Sequence, residues 1–262
     1  MYYMGIDIGS LTCDGVIIDH NQDVRAASVV PTGARNLEAI QRVTAEILTQ
    51  AGLKDKDIRA IVSTGYGRNR VEGKLAAVTE ITCHARGIIH LFPGTRLLID
   101  IGGQDSKAIR LDEQGRVVDF AMNDKCAAGT GRFLEAMARA LEVDIDELGR
   151  LDAHARDNLT LSSICTVFAE SEVVSLIANG TAVAEIVRGL HRSVASRTLS
   201  LVRRVVSEDL TTWPTAMSGG VARNPGVVRE LSALLGVPIR VPEQPEIVGA
   251  LGAALIASER SA

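Results

Sequence analysis

The chain has 262 residues, with 28 basic and 32 acidic side chains and a formal net charge of -4. Its 46% hydrophobic and 23% charged content is that of a folded protein, which excludes disorder, collagen-like repeats and a coiled coil as the main state. The mild acidic excess argues against a nucleic-acid surface, and no apolar run approaches the roughly 20 residues of a bilayer span. The first residues, Met1-Tyr2-Tyr3-Met4-Gly5-Ile6-Asp7, carry an acid in an apolar stretch and no basic leader, so they read as the start of a cytoplasmic protein without a signal peptide. Residues 6–19 read as strand, Asp-Ile-Gly turn and strand, and a third strand follows at about 24–30. Apolar residues at three- and four-residue spacing predict a helix over 37–51, closed by Gly52. A strand over 58–63 runs into Thr64-Gly65-Tyr66-Gly67-Arg68. Residues 99–112 and 116–122 again read as three strands. Helices are predicted over 131–141, 167–178 and 182–206, strands over 215–217 and 239–241, and a Gly/Ala-rich helix over 247–258.

The second group of strands repeats the first. Asp7, Ile8, Gly9 and Asp19 recur as Asp100, Ile101, Gly102 and Asp112, a constant offset of 93 residues. A repeat of this kind decides the architecture. It predicts an α/β fold of two similar domains, each a mixed sheet flanked by helices. The boundary is expected near Phe92-Pro93-Gly94, giving domains 1–94 and 95–244, with the C-terminal helix (about 245–262) packing back on the first. Aromatic residues make up 3%, so the core is built from Ala, Val, Ile and Leu. The four cysteines, Cys13, Cys83, Cys126 and Cys165, form no C-x-x-C pair, which argues against a disulfide framework and a one-chain zinc site.

Glycine turns between strands expose consecutive backbone N–H groups that attract phosphate oxygens. An Asp ending the first strand of such a turn can hold Mg²⁺ beside those phosphates. The first turn offers Asp7, Gly9, Ser10, Leu11 and Thr12; the second offers Asp100, Gly102, Gly103, Gln104 and Lys107. Facing one another across a cleft, they would clamp the phosphates of ATP or ADP. Gln104 could orient an attacking water, and Lys107 and Lys125 are candidates for phosphate contact. His84, His154 and His191 have no paired base or ligand spacing and read as ordinary.

Five runs make a closer likeness: Gly5-Ile6-Asp7-Ile8-Gly9-Ser10, Ser63-Thr64-Gly65-Tyr66-Gly67-Arg68, Asp100-Ile101-Gly102-Gly103-Gln104-Asp105-Ser106-Lys107, Asn123-Asp124-Lys125-Cys126-Ala127-Ala128-Gly129-Thr130-Gly131-Arg132-Phe133 and Cys165-Thr166-Val167-Phe168-Ala169-Glu170-Ser171-Glu172. With Gly219-Gly220-Val221 and the terminal Gly/Ala helix, the chain resembles the activators of 2-hydroxyacyl-CoA dehydratases and the ATPase subunits of benzoyl-CoA reductases, within the acetate and sugar kinase/Hsp70/actin superfamily. The resemblance implies two actin-like ATPase domains around a nucleotide cleft. It also implies an ATP-driven electron donor: a homodimer with one interfacial [4Fe–4S] cluster, held here by Cys126 and Cys165 of each copy. Both cysteines lie beside predicted helix N-termini, whose dipoles favour thiolates. Gly219, Gly220, Val221 and Asn224 would approach the adenosine. The implied electron acceptor is an iron–sulfur dehydratase or reductase, and the implied donor is ferredoxin or flavodoxin. One position departs from the pattern, because the first turn of this family often places a Lys where this chain has Asp14. That exchange implies weaker nucleotide binding. The competing readings are an N-acetylhexosamine-type sugar kinase and a nucleotide-binding regulatory module without turnover.

Overall fold

Alternation along the first two strands sets the first sheet. Successive side chains of β1 (Tyr2–Ile8) and β2 (Thr12–Asp19) point to opposite faces. Met4, Ile6, Ile8, Cys13 and Ile17 fall into one apolar cluster, and Tyr3, Val16 and Ile18 into another, so both faces are buried. β3 (Val24–Pro31) completes an antiparallel meander with β2. The helix α1 (Asn36–Ala51) covers the first face with Val43 and Ile47 and stops at Gly52 in the left-handed region. β4 (Ile58–Gly65) pairs parallel with β1, and the short β5 (Ala76–Ala77) pairs parallel with β4, giving the order β3-β2-β1-β4-β5. The helix α2 (Glu80–Leu91) begins where the Thr79 hydroxyl accepts a hydrogen bond from the Thr82 N–H.

The computed structural model describes residues 1–155, 159–161 and 165–261. A second sheet repeats the plan with β6 (Leu97–Ile101), β7 (Ser106–Leu111) and β8 (Val117–Asn123). The helices α3 (Gly131–Ala140), α4 (Ile145–Leu151), α5 (Thr166–Ala178) and α6 (Val183–Val205) follow, then β9 (Thr215–Ser218). The helix α7 (Pro225–Leu235) is bounded by an Asn224 cap, Pro225 in its first turn and Gly236 in the left-handed region. Finally β10 (Ile239–Arg240) pairs parallel with β9, the sheet order being β10-β9-β6-β7-β8. The last helix, α8 (Val248–Arg260), returns to the first sheet. Its terminal neighbour Ala262 lies outside the described residues.

The Gly/Ala composition of α8 follows from how tightly it packs. A Cβ at Gly5 of β1 would collide with the Ala250 carbonyl, and one at Gly252 with the Cys83 carbonyl of α2. Ala250, Ala253, Ala254 and Ala257 are all fully buried. Two compact units result: Met1–Leu98 with Leu111–Val118 and Pro242–Ala262, and Ile99–Arg110 with Asp119–Val241. The helices α2, α4 and α7 were absent from the sequence expectation. In α2 the run Ile81-Thr82-Cys83 and the internal Gly87 are poor helix formers, and packing against α8 overrides that preference.

Candidate functional site

In the first unit, β1 and β2 place Asp7 directly opposite Asp14, and Ile8 opposite Cys13. The turn between them closes by the Gly9 N–H donating to the Thr12 carbonyl at 2.9 Å. The Thr32 hydroxyl donates to the Gly9 carbonyl (3.0 Å) and the Thr32 N–H to the Leu11 carbonyl (2.8 Å), anchoring the turn to the end of β3. Ser10, Leu11 and Thr12 are half-buried. Asp7 is buried, and two glycines press on its carboxylate. Gly65, at φ 81°, sits where any Cβ would meet Oδ1, and Gly249 of α8 sits where one would meet Oδ2 and approach the His84 ring. The His84 Nδ1 lies 2.9 Å from the Glu80 carbonyl.

The second unit builds the corresponding corner with different charges. The Asp100 Oδ2 lies 3.0 Å from Lys107 Nζ, and its Oδ1 accepts from the Ser218 hydroxyl at 2.8 Å. Lys107 also lies 2.8 Å from Asp105, and all three side chains are buried. Lys107 is therefore a clamp on two carboxylates. Gly219, at φ 82°, occupies the place beside Asp100 that Gly65 takes beside Asp7. The Gly102 N–H donates to the Asp105 carbonyl (3.0 Å), leaving Gln104 exposed at the turn.

This second turn is stitched to α3. The Gly131 and Arg132 N–H groups donate to the Gly102 and Gly103 carbonyls, both at 2.9 Å. The Thr130 hydroxyl is shared between the Gly103 carbonyl (3.0 Å) and the Ala127 carbonyl (2.6 Å). The Asn123 side chain donates to the Cys126 carbonyl at 3.0 Å. The first N–H groups of α3 are thus spent on the turn. Cys126 and Cys165 are both exposed, and Cys165 stands just before the start of α5 without a side-chain hydrogen bond to the helix. Among the described residues, no group of three or more His, Cys, Asp or Glu side chains is placed to hold a metal ion. Two exposed thiols per chain are half the donor set of a cubane, whose four irons take one thiolate each.

Near Gly219-Gly220, the Val221 side chain is buried and Asn224 is tied inward. Its Oδ1 accepts the Val227 N–H at 3.1 Å, and its Nδ2 lies 3.1 Å from His191 Nε2. His191, read from sequence as lacking a base, is fully buried with Nδ1 2.8 Å from Asp152, which also pairs with Arg229. A separation of 39 positions between Asp152 and His191 leaves no local signal for this pair. Burial works against the Asp152 carboxylate, but bonds from His191 and Arg229 outweigh it and hold the group below the usual carboxylate range.

The likeness to known proteins extends along almost the whole sequence. The chain belongs to the BadF/BadG/BcrA/BcrD ATPase family. The family's model matches residues 4–257. The chain is 48% identical over 259 residues to the activator of lactoyl-CoA dehydratase from Anaerotignum propionicum, spanning 99% of this chain and 98% of that protein. Among solved structures it is similar to the activator of the 2-hydroxyisocaproyl-CoA dehydratase from Clostridium difficile with bound ADPNP. That match has a TM-score of 0.93 at 44% identity, covering 100% of this chain and 96% of the other. A ROK family glucokinase from Streptomyces griseus, at 14% identity and a TM-score of 0.62 over 99% of this chain and 100% of its own, shares the fold alone. The two five-stranded mixed sheets flanked by helices are accordingly those of an actin-like ATPase.

Proposed function

We propose that this protein is an ATP-dependent activator that donates low-potential electrons to an iron–sulfur 2-hydroxyacyl-CoA dehydratase or a benzoyl-CoA-type reductase. Relatives named as dehydratase activators support the partner class. The observation that carries the reading is the Thr130 bridge between the second glycine turn and the Cys126 loop. At the first turn phosphates would be received by the N–H groups of Ser10 and Leu11, and at the second by that of Gly103, with Asp7 and Asp100 on the Mg²⁺ side; the Gly9 and Gly102 N–H groups close the turns themselves. Gln104 would orient the attacking water, Lys107 would hold Asp100 in place, and Gly219, Gly220, Val221 and Asn224 would shape the adenosine side. When contacts at Gly102–Gly103 are made or lost, Thr130, Gly131 and Arg132 must follow, and the Cys126 loop with them. That is how ATP hydrolysis would reach the cysteines.

Cys126 and Cys165 would supply two thiolates, and a second copy in a homodimer the other two. A [4Fe–4S] cluster held there supplies one-electron chemistry at low potential. Ferredoxin or flavodoxin would deliver the electrons. The exposure of both thiols calls for anaerobic conditions, and a protein that draws on ATP and serves an acyl-CoA enzyme would work in the cytoplasm. Anaerobic iron and sulfide analysis tests the reading. About four irons per dimer are expected, lost in Cys126→Ser and in Cys165→Ser and retained in Cys83→Ser. Full iron occupancy in a monomer would overturn it.

A further inference from the structure

Asn224 closes the turn expected at the adenosine, yet both polar ends of its side chain are engaged inward. Its Oδ1 accepts the Val227 N–H at 3.1 Å and so caps α7. That leaves Nδ2, which can only donate, 3.1 Å from His191 Nε2. The His191 Nε2 is therefore the unprotonated acceptor, and the ring proton sits on Nδ1, 2.8 Å from Asp152 Oδ2. Arg229 meets the same carboxylate oxygen and balances its charge. One tautomer and one amide orientation thus run through the chain from Asn224 to His191 to Asp152.

His191 and Asp152 are buried, and both bonds to the carboxylate fall on Oδ2. Burying such groups costs stability that apolar residues of the same volume would avoid. What the chain supplies and apolar packing does not is direction, because it ends on the last residue of the turn Gly219–Asn224. The other end of that turn is pinned as well: a Cβ on Gly219 would collide with the Ile101 carbonyl and crowd Asp100 Oδ1. Between the pins, the Ala222 N–H donates to the Gly219 carbonyl and the Asn224 N–H to the Val221 carbonyl, both at 3.0 Å, while Gly220 faces open space. At the start of α7, Gly226 packs so closely on the His191 ring that any Cβ would collide with it. We infer that His191, aligned by Asp152 and Arg229, is a positioning residue of the nucleotide site: it holds Asn224, and through it the Gly219–Asn224 turn, in the shape that would receive the adenosine. Asn224 then acts as a latch on the turn and not as a direct ligand.

This role for His191 rests on the proposed place of the Gly219–Asn224 turn at the adenosine, and the two fail in different ways. The probe is ADP, titrated by calorimetry into the full-length protein, with KM and kcat for ATP hydrolysis measured on the same samples. His191→Asn keeps an amide donor for Asp152 and removes the acceptor for Asn224, whereas His191→Gln keeps an acceptor where Nε2 stands. His191→Asn should weaken ADP binding and raise KM by about tenfold, the equivalent of roughly 1.4 kcal/mol. Its kcat should stay within about twofold of wild type, because Asp7, Asp100 and Gln104 are untouched. His191→Gln should bring the affinity back to within about threefold of wild type. Asn224→Ser keeps a capping oxygen but lacks the amide, so it should lose as much as His191→Asn, and the double variant no more than either alone. A purely structural His191 would lower Tm in both its variants without separating them in affinity. A folded His191→Asn protein that binds ADP like wild type would overturn the inference, and so would additive losses in the double variant; Asn224→Ser against His191→Gln carries the test should His191→Asn misfold. Failure of wild type to bind ADP would remove the nucleotide site and this role with it, whereas binding by wild type and an unaffected variant would remove this role alone.

Discussion

The four cysteines divide by environment, and the division has chemical consequences. Cys13, on β2, lies in the core cluster shared with α1, where burial, followed by the charges of Asp14 and Asp7, pushes its thiol up to about 12. Cys83 lies in the cluster beneath α8, and burial likewise pushes it up to about 12. The thiolate is the nucleophile, so both are inert near neutral pH. In iron-free folded protein at pH 8, iodoacetamide should label Cys126 and Cys165 and spare Cys13 and Cys83, with all four labelled after denaturation. Peptide mass spectrometry reads the result, and modification of Cys83 in the folded protein would contradict its placement. The Asp14–Asp7 opposition was half legible: the sign change against Lys107 is in the sequence, but the strand register that sets the two acids opposite one another is not.

Among the elements, α8 shows how composition records packing. Gly252 has no room for a Cβ because the Cys83 carbonyl of α2 occupies that space, and backbone cannot swing away as a side chain can. Gly252→Ala should therefore cost about 1–3 kcal/mol, the usual range for overpacking a filled core. For a chain of this size, that lowers Tm by roughly 2–10 °C. Gly220 faces open space, and Gly220→Ala should stay within about 0.5 kcal/mol of wild type. Differential scanning calorimetry of both variants separates close helix packing from a general intolerance of substitution. The predicted helices at 37–51, 167–178 and 182–206 agree with α1, α5 and α6 within a residue or so at each end. The helix α7 also carried a readable signature, Asn224-Pro225 at its start and Gly236 past its end, that the periodicity alone did not bring out.

Across the whole molecule, duplication gives two acids at equivalent corners with unequal surroundings. Asp100 is fixed by Lys107 and Ser218, whereas Asp7 is set against Asp14 and hemmed by two glycines. Asp7→Asn and Asp100→Asn should each lower the ATP hydrolysis rate by at least about tenfold, the loss that 1.4 kcal/mol of transition-state stabilisation represents. Iron content should survive both changes, since neither residue lies beside Cys126 or Cys165 in the chain. Unchanged rates in both variants would leave the repeat a purely structural device. No helix of the described residues is long and apolar enough to cross a membrane.

The sequence by itself determined the repeat, the two α/β halves, the glycine turns and the acids that end their first strands. These are local patterns with period 2 or 3.6, or a copy at fixed offset, and a chain carries them before it folds. Only the tertiary structure decided which side chains those acids would meet. Strand pairing brings Asp14 to Asp7, the hairpin brings Lys107 to Asp100, and helix packing brings Asp152 to His191 across 39 residues. Such meetings depend on register and on the direction each strand or helix face presents. Both are fixed by burial of the whole core and by no single stretch of residues.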